Sequence, residues 1–116
     1  MVVVELGSVM LPFLSLDGIS APGPGAARDL EGGYGKHVLF VAASEAVGSP
    51  AAVYLEVSLD GENWVSTGVE ASVYNSVPVQ LSGIASQFVR YVRANATVVP
   101  AGTTLSAWIL SGHTTD

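Results

Sequence analysis

The chain has 116 residues, with 4 basic and 10 acidic side chains, a net charge of −6 and no cysteine. An acidic balance of this kind argues against nucleic acid or an anionic membrane as a partner, since either needs a basic patch. The missing cysteines exclude disulfides, thiolate catalysis and Cys-based metal sites. Hydrophobic residues make up 49% and charged residues only 12%, against about 25% charged in an average domain. That composition specifies one folded domain with an unusually apolar surface, or one that hides surface against partners, not a disordered chain.

Taken in chain order, residues 2–6 form a short β-branched run, and residues 11–16 alternate around Pro12, which places them at a sheet edge. The apolar run 6–16 is only 11 residues long, too short for a membrane span of about 20. No basic stretch precedes the first apolar residues, so synthesis in a cytoplasm without export is expected. Residues 18–35, rich in Gly and Pro, read as a long connection, either a crossover between sheets or a contact loop. Residues 37–43 are almost continuously apolar, as a central strand would be.

The clearest pattern is Val53-Tyr54-Leu55-Glu56-Val57-Ser58-Leu59, whose odd-numbered members are all apolar. It predicts a strand with one buried face. Asp60-Gly61 follows and predicts a two-residue type I′ turn, with residues 62–66 returning as the partner strand. Further short strands are expected at 69–74, 77–81, 88–97 and 104–110. Turn clusters separate the elements at Asp17-Gly18, 21–25, Gly32-Gly33, 48–50, Ser82-Gly83 and 100–102. Seven or eight short antiparallel strands of this kind predict an all-β, β-sandwich or jelly-roll-like fold. The domain is expected over residues 11–116, with residues 1–10 as an N-terminal segment.

Catalytic chemistry is poorly supplied. His37 falls in a predicted central strand and His113 near the end of the sequence, and no Gly-x-Ser-x-Gly occurs. His37 reads best as a buried residue with a satisfied imidazole. Asp60, Glu62 and Asn63 could offer oxygens to calcium, but they fall short of the six to eight ligands calcium takes. Gly23-Pro24-Gly25 fails as a phosphate loop, because Arg28 stands where a third glycine belongs. No catalytic residue, metal or cofactor is expected. Arg90 and Arg93, two of the four basic residues, lie three apart and would face opposite sides of a regular strand. One of them would point inward unless a bulge or strand end intervenes, and a buried arginine needs a carboxylate, in its own or a neighbouring subunit.

Four stretches together carry a family likeness. They are residues 21–30 (APGPGAARDL), 34–40 (YGKHVLF), 55–64 (LEVSLDGENW) and 89–95 (VRYVRAN). In order and spacing they resemble a family of small virion proteins of tailed bacteriophages. The resemblance covers roughly residues 11–112 and rests on Ser58-x-Asp60-Gly61-x-x-Trp64 followed by Arg90-Tyr91-Val92-Arg93-Ala94-Asn95. It implies a capsid decoration (cement) protein on the capsid exterior. The implied partners are the major capsid protein and neighbouring copies of itself, as a homotrimer. A tail- or fibre-associated module recognising a host glycan or another virion protein is the alternative. Discoidin-like carbohydrate-binding jelly rolls share a similar hairpin and Arg-Tyr-x-Arg strand, but this chain is shorter and has none of their cysteines. A small enzyme is the third reading. The expected interface comprises Val2, Val3, Val4 and Leu6, pairing as an edge strand with a neighbour, together with Arg90 and Arg93.

Overall fold

A computed structural model describes residues 12–31, 35–43, 49–73, 79–86 and 89–112, with residues 79–86 as backbone. The described residues hold nine strands and no helix: β1 (Phe13–Ile19), β2 (Gly23–Pro24), β3 (Arg28–Asp29), β4 (Lys36–Ala43), β5 (Ala51–Ser58), β6 (Val65–Val73), β7 (Val79–Ser86), β8 (Tyr91–Val98) and β9 (Leu105–Gly112). They form two antiparallel sheets. One has the order β1-β9-β4-β7, and the other β2-β8-β5-β6, with β3 also paired to β8. The fold is an all-β, two-layered sandwich. With β2 and β3 taken as one interrupted strand, the pairs β1·β9, β2/β3·β8, β4·β7 and β5·β6 are nested in sequence and alternate between sheets. Rolling one long hairpin around a sandwich produces this order.

The core follows from the period of two. Val53, Leu55 and Val57 of β5 are buried against Leu39 and Val41 of β4, Val92, Ala94 and Ala96 of β8, and Leu105, Ala107 and Ile109 of β9. Burying each Val, Leu or Ile contributes about 1.5–3 kcal/mol, which offsets the ordering of the strands. Alternation also sets the outer faces. On the five-stranded sheet it turns Tyr54, Glu56, Arg93 and Asn95 outward. On the four-stranded sheet it turns Val38, Phe40, Trp108 and Leu110 outward.

Several expected boundaries move, each for a tertiary reason. The edge strand begins at Phe13, directly after Pro12, and runs to Ile19. Asp17-Gly18 is therefore not a turn. The register slips from Leu16↔Ala107 to Ile19↔Leu105, which makes Asp17-Gly18 a bulge inside β1, and the Gly18 N–H is held by Ser106 Oγ at 2.9 Å. A second slip between Leu14 and Leu16 turns both Ser15 and Leu16 inward. Ser82-Gly83 is also a bulge, since Val38↔Ile84 is followed by Phe40↔Leu81. The expected strands at 69–74, 77–81 and 88–97 become Val65–Val73, Val79–Ser86 and Tyr91–Val98.

The Gly/Pro-rich connection is a crossover between sheets, and part of it joins the second sheet. Gly23 and Pro24 lie opposite Ala96 and Asn95, and Arg28 and Asp29 opposite Val92 and Tyr91. Between these two pieces Ser15 fills the gap. Its Oγ donates to the Ala26 carbonyl (2.7 Å) and accepts from the Ala94 N–H (2.9 Å). The turn at 100–102 is present, with the Thr103 N–H on the Pro100 carbonyl at 3.2 Å. The expected strand at residues 2–6 lies outside the described residues.

Candidate binding surfaces

The Asp60-Gly61 turn is not the two-residue type I′ turn expected. Residues 59–64 join β5 to β6, and of the two central residues only Gly61 has positive φ, at 81°. A type I′ turn needs both. Side-chain bonds explain the longer loop. Asp60 Oδ1 accepts from the N–H groups of Glu62 (2.9 Å) and Asn63 (2.8 Å) and from Ser58 Oγ (3.0 Å). Its Oδ2 accepts from Asn63 Nδ2 at 2.6 Å. Ser58 Oγ in turn accepts from the Asp60 and Gly61 N–H groups at 3.2 and 2.9 Å. Trp64 Nε1 closes the loop on the Gly61 carbonyl at 3.2 Å.

The backbone N–H groups of Asn63 and then Glu62, with the Asn63 and Ser58 side chains, hold the Asp60 carboxyl well below its ordinary pKa. These oxygens face donors, the opposite of a cation cradle. Among the described residues no group of three or more His, Cys, Asp and Glu side chains is placed to hold a metal.

The two motif stretches meet on the outer face of the five-stranded sheet. Glu56 lies directly opposite Arg93 across β5 and β8, and Tyr54 opposite Asn95. Glu56 Oε1 accepts from Arg93 Nε and Oε2 from Asn95 Nδ2, both at 2.8 Å. The Arg93 guanidinium lies 4.2 Å above the Trp64 ring. Gly61 packs beside the Tyr91 ring. Arg90 precedes β8, so the strand's period does not force it inward, and it grips Asp29 through two bonds of 2.9 Å. Hydrogen bonding from Arg90 lowers the Asp29 pKa, and that pairing raises the Arg90 pKa. Both arginines are thus paired within the chain. Facing positions on neighbouring strands make this network; the sequence pattern identified Glu56 as outward-facing but could not pair it with Arg93.

His37 is fully buried, with Nδ1 2.9 Å from Ser111 Oγ, as a satisfied core histidine would be. Val2, Val3, Val4, Leu6 and His113 lie outside the described residues.

Among the described residues, two apolar surfaces stand out. The first is an open groove of about 590 Å³ beside the Asp60 loop, lined by Val57, Ser58, Leu59, Asp60, Asn63, Val65 and Val89. Leu59 is 75% exposed and Val65 63%, so the loop bonds hold two large apolar side chains out in water. Sequence reasoning missed this, because Leu59 fits the buried phase of β5 and only the loop's departure after Ser58 turns it out. The second is a groove of about 410 Å³ on the outer face of the four-stranded sheet, lined by Pro12, Val38, Phe40, Trp108 and Leu110. Its Phe40 and Trp108 rings stand 5.7 Å apart, tilted by 56°. No protein-family model matches the chain, and no curated protein matches it either.

Proposed function

We propose that this chain is a structural protein of a tailed-phage virion, of the capsid decoration type. It seats on the outer surface of the major capsid lattice beside neighbouring copies of itself, as a homotrimer. The observation that carries the reading is the braced loop after β5, which presents Leu59 and Val65 beside an apolar groove. An apolar contact fixed in place before binding loses little entropy on docking. The net charge of −6 suits a position outside the shell, away from packaged nucleic acid.

Binding rather than catalysis fits the way the reactive groups are used. The His37 imidazole contacts Ser111, Glu56 and Asp29 hold arginines, and both Asp60 oxygens accept from their own loop.

Quantifying copies per particle in virions of the phage that encodes the chain tests the reading. A number comparable to that of the capsid protein is expected. A handful of copies would move the protein to the tail, and none would overturn the proposal. The paired substitution Leu59→Asp and Val65→Asp should lower occupancy at least tenfold. It should leave the melting temperature nearly unchanged, because both side chains are exposed.

A further inference from the structure

The tetrapeptide Ser-Leu-Asp-Gly occurs twice, as residues 15–18 and 58–61. Asp-Gly bonds isomerise readily, because glycine has no side chain to block attack of its nitrogen on the neighbouring carboxyl. Local sequence gives the two bonds the same reactivity, so a difference between them is set by the fold. We propose that Asp17-Gly18 is the bond at which this protein converts to isoaspartate, with the Ser106 hydroxyl as its restraint, and that Asp60-Gly61 is protected. The inference is independent of the capsid reading.

Exposure and torsion do not separate the two bonds. Both aspartates are exposed, and both glycines have positive φ, 60° at Gly18 and 81° at Gly61. Hydrogen bonding does separate them. The Asp60 carboxylate accepts from the Glu62 and Asn63 N–H groups, Asn63 Nδ2 and Ser58 Oγ. Ser58 Oγ also accepts from the Gly61 N–H at 2.9 Å. The attacking nitrogen and its target are thus both held in the braced loop. The same donors keep the Asp60 carboxyl ionised well below its ordinary pKa, and an ionised carboxylate has no hydroxyl to lose.

In the first copy of the tetrapeptide the serine is engaged elsewhere, since Ser15 Oγ bridges the Ala26 carbonyl and the Ala94 N–H. Among the described residues no donor reaches the Asp17 carboxylate, and the Gly18 N–H is held by Ser106 Oγ at 2.9 Å. Asp17 and Gly18 also form the bulge of an edge strand, where pairing to β9 is interrupted. When the Ser106 bond opens, the Gly18 nitrogen attacks Asp17 Cγ. An N–Cγ bond forms, a Cγ–O bond breaks, and the amide proton leaves with the hydroxyl as water. Water then opens the succinimide at the main-chain carbonyl. That step restores the original mass and routes the backbone through the Asp17 side chain.

Trypsin separates the two bonds for measurement. The basic residues are Arg28, Lys36, Arg90 and Arg93, so Asp17 falls in peptide 1–28 and Asp60 in peptide 37–90. The full-length protein is aged for weeks in neutral buffer at physiological temperature, folded or in urea, and each peptide is resolved into aspartyl and isoaspartyl forms by chromatography and fragmentation mass spectrometry. In urea the two bonds should convert at similar rates. In the folded protein Asp17 should convert about tenfold faster than Asp60 or more. Ser106→Ala should speed Asp17 severalfold and leave Asp60 unchanged, whereas Ser106→Thr, which keeps the hydroxyl, should stay near wild type. Equal rates in the folded protein, a faster Asp60, or no conversion at Asp17 while the urea sample converts would each overturn the proposal. If Ser106→Ala does not fold, the wild-type rates decide alone. If it folds and does not speed Asp17, Ser106 is not the restraint and the proposal fails.

Discussion

Gly25→Ala is the sharpest perturbation of this fold. The backbone at Gly25 does not lie in the left-handed region, so a side chain there meets a problem of space and not of torsion. A Cβ on Gly25 would collide with the Ser15 carbonyl oxygen and stand 2.7 Å from Leu16 Cδ2. Neither side can yield freely. The Gly25 N–H is on the Ala94 carbonyl (2.8 Å) and the Ala26 N–H on the Ser15 carbonyl (2.8 Å). Ser15 Oγ bridges the Ala26 carbonyl and the Ala94 N–H. Relieving the collision moves one strand by about 1 Å, which breaks at least two of these four bonds. Each is worth about 1 kcal/mol net, and a buried group left unpaired costs about 1–3 kcal/mol. The stiffer unfolded chain returns about 0.4–1 kcal/mol. The expected loss is about 2–4 kcal/mol, a large part of a typical domain's 5–15 kcal/mol. Urea unfolding followed by tryptophan fluorescence measures it. The midpoint should fall at unchanged slope, and the melting temperature should drop by about 8–16 °C. A variant within about 0.5 kcal/mol of wild type would refute the close approach of β1 to the crossover segment.

Gly61→Val should cost about 1–2 kcal/mol, because φ there is 81° and a β-branched side chain is strained in that region. Gly61→Asn should cost less than Val in the same urea titration, since Asn tolerates that conformation. Thr103 Oγ1 is buried without a partner within the protein among the described residues, so Thr103→Val should stabilise the fold by about 1 kcal/mol in a calorimetric melt. Asp60 and Asp29 both have lowered pKa values in the folded state. Their contribution is therefore complete above the unfolded carboxylate pKa of about 4 and is lost as pH falls below it. Denaturant titrations at successive pH values should show stability declining through that acid range, with a shallower decline in Asp60→Ala.

The elements legible in the sequence are those whose cause is local. Val53, Leu55 and Val57 alternate with Tyr54 and Glu56, and a strand with one buried face follows from the pleat alone. Residues 37–43 are apolar on both faces, and they form a central strand of the four-stranded sheet. The absence of any sustained helical period, with Gly and Pro clusters between runs, was enough to fix an all-β class.

What misled the local reading were glycines that do other work. Asp17-Gly18 and Ser82-Gly83 look like turns but are bulges, because pairing with β9 and β4 resumes beyond them with the register shifted by one residue. Asp60-Gly61 looks like a tight turn but is a six-residue loop, because the Asp60 carboxylate gathers N–H groups further along the chain. The pairings Ser15 with Ala94, Arg93 with Glu56 and Arg90 with Asp29 join residues 79, 37 and 61 positions apart. The sequence by itself determined which residues alternate and therefore which can be buried together. Only the tertiary structure decided which strands are neighbours, where the register slips and which apolar faces stay open. Those depend on contacts between distant segments, whose hydrogen-bond geometry no local pattern encodes.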